Sequence, residues 1–194
     1  MAIGQINAIT ETGDEVMLFE DGTWSYLNDS LNIPTEIPVN EAEYEKDKKS
    51  TFLVKSKKVD LGVWINPKEW SFSKGEEGSA TEFQFQKKGE DFYAMLITET
   101  IPIPVETLKN IAFDNAANVA PDVKIESVEY RTVNGLKLIM MQMSGTTQGI
   151  KFTYFGYYYS NDESTIQLVC YSGERQMKNN LEMVESFLNG LVEL

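Results

Sequence analysis

The residue types that carry out most protein catalysis are scarce in this chain. Its 194 residues include no histidine and a single cysteine, Cys170. Without histidine the chain cannot assemble a Ser-His-Asp or Cys-His catalytic set, or a His-ligated zinc site, from its own residues. Cys170 alternates with the apolar residues Ile166 and Leu168, and no basic neighbour is present to lower its pKa, so we predict a small core residue rather than a reactive thiol.

Two pairs of carboxylates are the remaining candidates for acid–base chemistry. Glu126 with Glu129, and Glu99 with Glu106, could act in this way if burial raised the pKa of one member of a pair. Their spacing matches no catalytic motif, and exposed acidic side chains explain them better. The acidic stretch 36–47 lacks the EF-hand calcium pattern. The sequence therefore predicts a protein that is not an enzyme and that has no metal site and no cofactor.

Aromatic residues offer a different kind of function, which is binding. Tyr157, Tyr158 and Tyr159 follow one another in a predicted strand, and Trp24 and Tyr26 alternate in another. Tyrosine is favoured where one end of a side chain is buried and the other end reaches water. These five residues form the predicted binding site. Strand propensity explains the three tyrosines equally well, and plain packing is the competing explanation for Trp24 and Tyr26.

The charge of the chain limits the classes of partner. Thirty acidic residues against 17 basic ones give a net charge of −13, which argues against nucleic acid because phosphate contacts require clustered Lys and Arg. No apolar run approaches the ~20 residues that a membrane-spanning helix needs. We therefore predict a protein partner and no membrane insertion. The alternatives are a small ligand in a pocket between a helix and the sheet, as in a carrier or a histidine-independent enzyme, or an acidic surface that serves solubility alone.

The predicted strands that position these residues lie mainly between Val123 and Tyr171. Asn134-Gly135 favours a two-residue hairpin turn, and similar polar turns separate four strands in this stretch. The strand Leu136 to Met143 is apolar on both of its alternating faces, so both faces need a covering layer. The sequence therefore predicts an antiparallel meander with an element packed on each side.

Two amphipathic helices are predicted to supply those layers. Pro104 to Val119 carries a proline at its first position and an apolar stripe on one side. Gly173 to Val192 has apolar residues at helical spacing, with Ser172 as its predicted N-cap. The predicted fold class is α+β, a mostly antiparallel sheet covered by helices on both faces in an α/β/α sandwich.

Composition divides the chain into three predicted parts. Three short β-rich runs predict a small β-meander over residues 1–28, and the acidic, proline-punctuated stretch 29–50 is typical of a linker. The main domain is predicted over residues 51–194. Within it, Trp64 and Trp70 could line a ligand site, but large aromatic residues lie more often in the core, and Trp70 is predicted to cover the core edge.

The order of elements in residues 51–194 resembles the PsbP-like superfamily, which includes an extrinsic photosystem II subunit, Ran-binding import factors and uncharacterised bacterial envelope proteins. The resemblance rests on three local marks: Trp64-Ile65-Asn66-Pro67-Lys68-Glu69-Trp70, Val133-Asn134-Gly135, and Phe155-Gly156-Tyr157-Tyr158-Tyr159 before Ile166-Gln167-Leu168. It implies a binding or assembly module of the bacterial envelope and carries no catalytic motif. The segment Gly13 to Tyr26 also resembles an Asp-Gly-Thr-Trp β-ribbon found in bacterial exported proteins.

The start of the printed sequence bears on cellular location. Met1-Ala2-Ile3-Gly4-Gln5 has no basic n-region and no apolar h-region, so it is not an intact signal peptide. Two locations stay open. A periplasmic or envelope location follows if an export signal precedes this sequence in the full reading frame, and a cytoplasmic location follows otherwise.

Overall fold

The computed structural model describes residues 6–9, 15–18, 24–26 and 36–194. The chain divides into two units, residues 1–35 and 36–194. In the first unit, β1 (Ile6–Ile9), β2 (Glu15–Leu18) and β3 (Trp24–Tyr26) pair antiparallel in the order β1-β2-β3. The side chains of Trp24 and Tyr26 lie outside the described part of the chain.

The second unit is built on an eight-stranded sheet in the order β4-β10-β11-β12-β13-β9-β8-β7. Its strands are β4 (Val39–Tyr44), β7 (Trp70–Lys74), β8 (Thr81–Lys87), β9 (Tyr93–Glu99), β10 (Lys124–Val133), β11 (Leu136–Thr147), β12 (Ile150–Ser160) and β13 (Thr165–Gly173). Every pairing is antiparallel except β4 with β10, which is parallel. A second sheet has the order β14-β6-β5, with β5 (Phe52–Lys55), β6 (Leu61–Ile65) and β14 (Leu191–Glu193).

The predicted meander is confirmed, and its first turn has the expected conformation. Asn134 and Gly135 both adopt positive φ, at 49° and 84°, as a two-residue hairpin turn of this kind requires. Strands β10 and β11 then pair from Val133 with Leu136 onward. The turn therefore sets the register of the β10–β11 pair.

The helices are α1 (Val105–Val119), α2 (Glu174–Asn179) and α3 (Leu181–Leu188). The first agrees with the prediction. The single helix predicted over Gly173 to Val192 is wrong, because it breaks at Asn180 and ends before Gly190. A Cβ on Gly190 would lie 2.1 Å from the Trp64 carbonyl oxygen, so glycine allows the close approach that lets the following residues pair with β6.

The predicted N-cap of the second helix is also wrong. Gly173, and not Ser172, stands directly before α2, and no side chain caps the helix. The Ser172 hydroxyl instead donates to the Asp91 carbonyl oxygen at 2.8 Å. The serine therefore ties the end of β13 to the loop before β9, and its hydroxyl also lies 3.1 Å from Gln176 Oε1 of α2.

Helices cover both sides of the large sheet, as predicted for the α/β/α fold class. Helix α1 packs on β11 and β12. On the opposite side, α2, α3 and the small sheet enclose one continuous core with β8, β9, β11, β12 and β13. The alternation is visible in β11, where Leu138 and Met140 belong to that core and Ile139 and Met141 are buried on the α1 side. In the described residues, no helix is long and apolar enough to span a membrane.

The prediction of a linker over residues 29–50 is wrong for Val39–Tyr44, which form strand β4. Val39–Tyr44 pairs with β10 at the edge of the large sheet, and the second unit begins at Glu36 instead of residue 51. The acidic composition did not indicate a strand, because the charged side chains occupy its exposed positions. The strand is held instead by contacts such as that of the Tyr44 ring, whose centre lies 4.6 Å from the Arg131 guanidinium. Tertiary contacts therefore supply the order that local composition does not indicate.

Trp70 is a core residue, as predicted. Only 3% of its surface is exposed, and its ring lies 4.2 Å from that of Phe187 and 6.3 Å from that of Phe92. Cys170 is fully buried in the same core, and burial raises the pKa of its thiol well above the ordinary value. Both residues therefore serve packing.

Candidate functional site

The three consecutive tyrosines predicted as a binding surface are buried. Tyr157, Tyr158 and Tyr159 are 0%, 1% and 9% exposed, because β12 is a central strand with a helical layer on each side. They therefore cannot form an exposed docking surface, and that part of the prediction is wrong. The prediction for Trp24 and Tyr26 concerns side chains outside the described residues and stays a prediction.

Tyr157 belongs to a buried polar network on the α3 side of the sheet. Its hydroxyl donates to Asn189 Oδ1 at 2.8 Å and accepts from Arg131 Nη1 at 3.2 Å. Arg131 also donates to Glu129 at 2.5 Å and to Glu185 at 2.9 Å. Burial alone would lower the pKa of Arg131, but these hydrogen bonds raise it. The network connects β10, β12 and α3, and we assign it a structural role.

The α1 side of the same sheet contains a different aromatic group. Met143, Tyr154, Tyr171 and Tyr93 are direct neighbours in register across β11, β12, β13 and β9. The rings of Tyr93 and Tyr171 stack at 5.6 Å, and Tyr171 meets Tyr154 edge-on at 6.1 Å. We call Tyr154, Tyr171 and Tyr93 the tyrosine row. All three side chains are half-buried, so each presents a ring surface to solvent.

Helix α1 packs on β11 and β12, so the same side of the sheet is only partly covered along β13, β9 and β8. On β9, Ala94 and Leu96 are at most 1% exposed on the α3 side, whereas Tyr93 and Met95 on the α1 side are half-buried. We call this surface the open face, and six uncharged side chains define it: Gln84 and Gln86 of β8, Tyr93 and Met95 of β9, and Gln167 and Tyr171 of β13. Tyrosine and methionine on such a surface are typical of protein–protein interfaces.

A cavity of about 180 Å³ opens between α1 and this part of the sheet. Its apolar walls come from Met95, Ile97, Ala112, Ala116, Met143 and Val169. Its polar lining consists of Asn115, Tyr154, Tyr158 and Gln167. All of these side chains are uncharged. The exposed Asn115 and the half-buried Gln167 place its mouth beside the open face, so we call it the α1 cavity.

The Tyr158 hydroxyl belongs to a buried residue on the lining of the α1 cavity. A Cβ placed on Gly156 would lie 3.0 Å from this hydroxyl and 3.0 Å from Val169 Cγ2, which puts the hydroxyl beside the cavity wall. Burial raises the pKa of Tyr158, so it is a neutral phenol. None of the hydrogen bonds found within residues 36–194 involves this hydroxyl. It is also not among the fully enclosed side-chain polar atoms of the described residues that lack a partner, so it is accessible from the cavity and can bond to a ligand there.

The local sequence explains why the cavity exists. Gly156 interrupts the aromatic side chains of β12 on the α1 side, and the Tyr158 ring occupies part of the space that a side chain would fill. Ala112 and Ala116 present only methyl groups on the facing side of α1. A glycine inside a strand often marks close approach by a ligand or another chain. Gly156 was therefore the available signal for this site, whereas nothing in the local sequence marked Tyr93, Tyr171 and Gln167.

The Glu126–Glu129 pair has pKa shifts opposite to the one that a general acid requires. A hydrogen bond from the Ser144 hydroxyl, followed by one from Lys124, lowers the pKa of Glu126. Burial opposes the shift at Glu129, but hydrogen bonds from Asn40 and Arg131 lower its pKa as well. A general acid needs the opposite shift. Glu106 is instead the acceptor of a hydrogen bond from the Tyr130 hydroxyl. Among the described residues, no group of three or more Cys, Asp or Glu could hold a metal ion.

Comparisons with known proteins support the fold and not a specific activity. No protein-family model and no curated protein matches the sequence. The chain is similar to the solution structure of cyanobacterial PsbP (CyanoP) from Synechocystis sp. PCC 6803, with 11% identity and a TM-score of 0.57 over 74% of this chain and 92% of that one. It is also similar to LpqN of Mycobacterium tuberculosis, which is involved in cell envelope biogenesis, with 13% identity and a TM-score of 0.51 over 73% of this chain and 88% of that one. The fold is therefore PsbP-like, as the sequence resemblance predicted.

Proposed function

We propose that this protein is a non-catalytic binding protein whose partner is another protein, and that the partner docks on the open face. The tyrosine row carries the proposal. Its three rings contact one another and are held in register by the sheet, so they present a rigid surface that loses little side-chain entropy on binding. A few residues supply most of the binding free energy at protein interfaces, and tyrosine is enriched among them.

The charge distribution indicates what kind of partner surface would fit. The whole chain has a net charge of −13, yet the six side chains of the open face carry no charge. A Lys- or Arg-rich partner would be attracted to the acidic remainder of the protein, but it would find no carboxylate within this set of six. We therefore expect an uncharged, aromatic or apolar contact surface on the partner, because buried charges without a partner are costly.

At the α1 cavity, size favours a protein partner over a free ligand. Pockets for whole small molecules and cofactors usually measure about 300–1,000 Å³, and the α1 cavity measures about 180 Å³. A carrier would have to enclose most of its ligand, which this cavity is too small to do for a ligand of ordinary size. A flat aromatic surface beside a small cavity fits a protein interface better. The involvement of LpqN in cell envelope biogenesis supports a bacterial envelope setting for the proposed function.

The proposal can be tested by photo-cross-linking in cells of the native host. The photoreactive residue p-benzoyl-phenylalanine replaces Tyr93 on the open face, and in a matched control it replaces Phe72, which is 43% exposed on the opposite side of edge strand β7. We expect position 93 to form an adduct with a defined protein that position 72 does not form. That protein, once purified, should bind the unmodified chain saturably. The absence of an adduct at position 93, or equal adducts at both positions, would overturn the proposal.

A further inference from the structure

We infer that the α1 cavity is an anchor pocket that takes one tyrosine side chain of the partner. This inference rests on the proposed function and adds the chemistry that the pocket recognises. The cavity lies beside the tyrosine row, since Met143, Tyr154 and Val169 belong both to its lining and to the sheet surface around the row. A partner docked on the open face would therefore have the mouth of the cavity within its footprint.

The volume selects a single ring. A cavity of about 150 Å³ lined by apolar side chains is known to bind benzene, and the α1 cavity is slightly larger at about 180 Å³. The additional space suits one small substituent on a six-membered ring. Its walls are formed by two methionine side chains, Met95 and Met143, together with small or branched residues. Methionine adapts its shape to aromatic rings and makes favourable sulfur contacts with them.

The polar groups select the substituent. The Tyr158 hydroxyl, which has no hydrogen-bond partner within the described residues, can donate or accept one hydrogen bond, and the half-buried Gln167 amide can do both. A phenol hydroxyl on the bound ring would satisfy the Tyr158 hydroxyl. A carboxylate or an ammonium group would be desolvated without an opposite charge, because the lining side chains are uncharged. Tyrosine is the side chain that combines one ring with a neutral hydroxyl.

The pocket can be probed without the partner by NMR of the full chain labelled with [methyl-¹³C]methionine. The probes are 4-methylphenol, which represents a tyrosine side chain, toluene, which lacks the hydroxyl, and 4-methylbenzoate, which carries a charge. The methyl signals of Met95 and Met143 report on the cavity. Met140 is buried on the opposite side of β11 and serves as the internal control.

We expect saturable shifts of Met95 and Met143 with 4-methylphenol, at least fivefold weaker binding of toluene, and no saturable shift with 4-methylbenzoate. In Tyr158→Phe the advantage of 4-methylphenol over toluene should disappear, while toluene still binds. Ala116→Leu should abolish binding because the larger side chain fills the cavity. Ala117→Leu, one residue further on the same helix and outside the cavity lining, should leave binding unchanged. An unshifted Met140 signal would show that each variant is folded.

Two results would overturn the inference. The first is no saturable shift of Met95 and Met143 with 4-methylphenol, and the second is equal affinity for 4-methylphenol and toluene in the unmodified chain. The affinity of two variants for the purified partner distinguishes a failure of this inference from a failure of the proposed function. If Ala116→Leu binds the partner normally while Tyr171→Ser does not, the inference of an anchor pocket is wrong, but the open face still docks the partner. If both variants bind normally, the proposed function fails.

Discussion

The two faces of the eight-stranded sheet differ in how far they are covered, although their strands have the same apolar pattern. On the α3 side, which we call the closed face, two helices and a second sheet bury every core position of β9 and β13. On the α1 side, one helix packs on β11 and β12, and Tyr93, Met95 and Tyr171 stay half-buried. Apolar alternation on both faces therefore predicts two covered faces, but it does not show how completely each is covered.

The chemistry of the two faces also differs. The closed face contains tightly packed aromatic rings, with Phe187 lying 4.2 Å from Trp70 and 5.2 Å from Phe85. The open face contains half-buried tyrosines and glutamine side chains. Contacts of the first kind exclude water and stabilise the fold, whereas those of the second kind suit an interface that must stay soluble when unbound. Substitutions on the closed face should therefore affect stability, and substitutions on the open face should affect binding.

The largest expected effect is at Trp70 on the closed face. Trp70→Ala should lower the free energy of unfolding by about 3–5 kcal/mol, because truncation of a buried aromatic side chain leaves a cavity that neighbours fill only partly. Urea denaturation measures this change. Ile150→Ala is the control, since Ile150 is 66% exposed and its truncation should cost about 0.5 kcal/mol. Equal stability of the two variants would mean that the closed face does not hold the fold together.

A smaller effect is expected at Arg131, which joins the closed face to strand β4. Arg131→Ala should cost about 2 kcal/mol at pH 7. This is less than the usual 3–5 kcal/mol for breaking a buried ion pair, because Glu129 and Glu185 keep 23% and 35% of their side-chain surface exposed. The control is Lys124→Ala, whose ion pair with Glu126 is exposed and should contribute about 0.5 kcal/mol or less.

The loss of folding stability in Arg131→Ala should depend on pH in a defined direction. Hydrogen bonds from Asn40 and Arg131 outweigh burial and lower the pKa of Glu129 below its ordinary value of 4.5. A carboxylate with a lowered pKa stabilises the folded state above its unfolded-state pKa, and this contribution is lost as the pH falls through its folded-state pKa. The difference in stability between the unmodified chain and Arg131→Ala should therefore narrow below about pH 4.5. A constant difference from pH 7 to pH 3 would contradict this assignment.

Much of the fold could be predicted because its signals are local. Asn134-Gly135 favours its turn through positive φ at two residues, and Pro104 is suited to the start of α1. Strand β4 and the end of α3 before Gly190 could not be predicted in this way. Each depends on a contact distant in sequence: Asn40 donates to Glu129 at 2.9 Å, and the Trp64 N–H donates to the Gly190 carbonyl oxygen at 2.8 Å.

The candidate site was harder to predict than the fold. The sequence indicated tyrosines in β12, but consecutive residues of a strand point to opposite faces, and both faces of this central strand are covered. Which tyrosines stay exposed depends on where α1 ends its contact with the sheet. Tyr93 and Tyr171 lie 78 positions apart and meet only because β9 and β13 are paired. Such a surface has no local sequence signature.

Tyr171→Ser tests the distinction between the two faces most directly, with Leu168→Ala on the same strand but on the closed face as its counterpart. Both variants are measured for the free energy of unfolding and for affinity to the purified cross-linked partner. We predict that Tyr171→Ser loses about 1 kcal/mol of stability or less and about tenfold or more in affinity. Leu168→Ala should lose about 2–5 kcal/mol and bind normally while folded. Unchanged affinity in Tyr171→Ser would contradict the account.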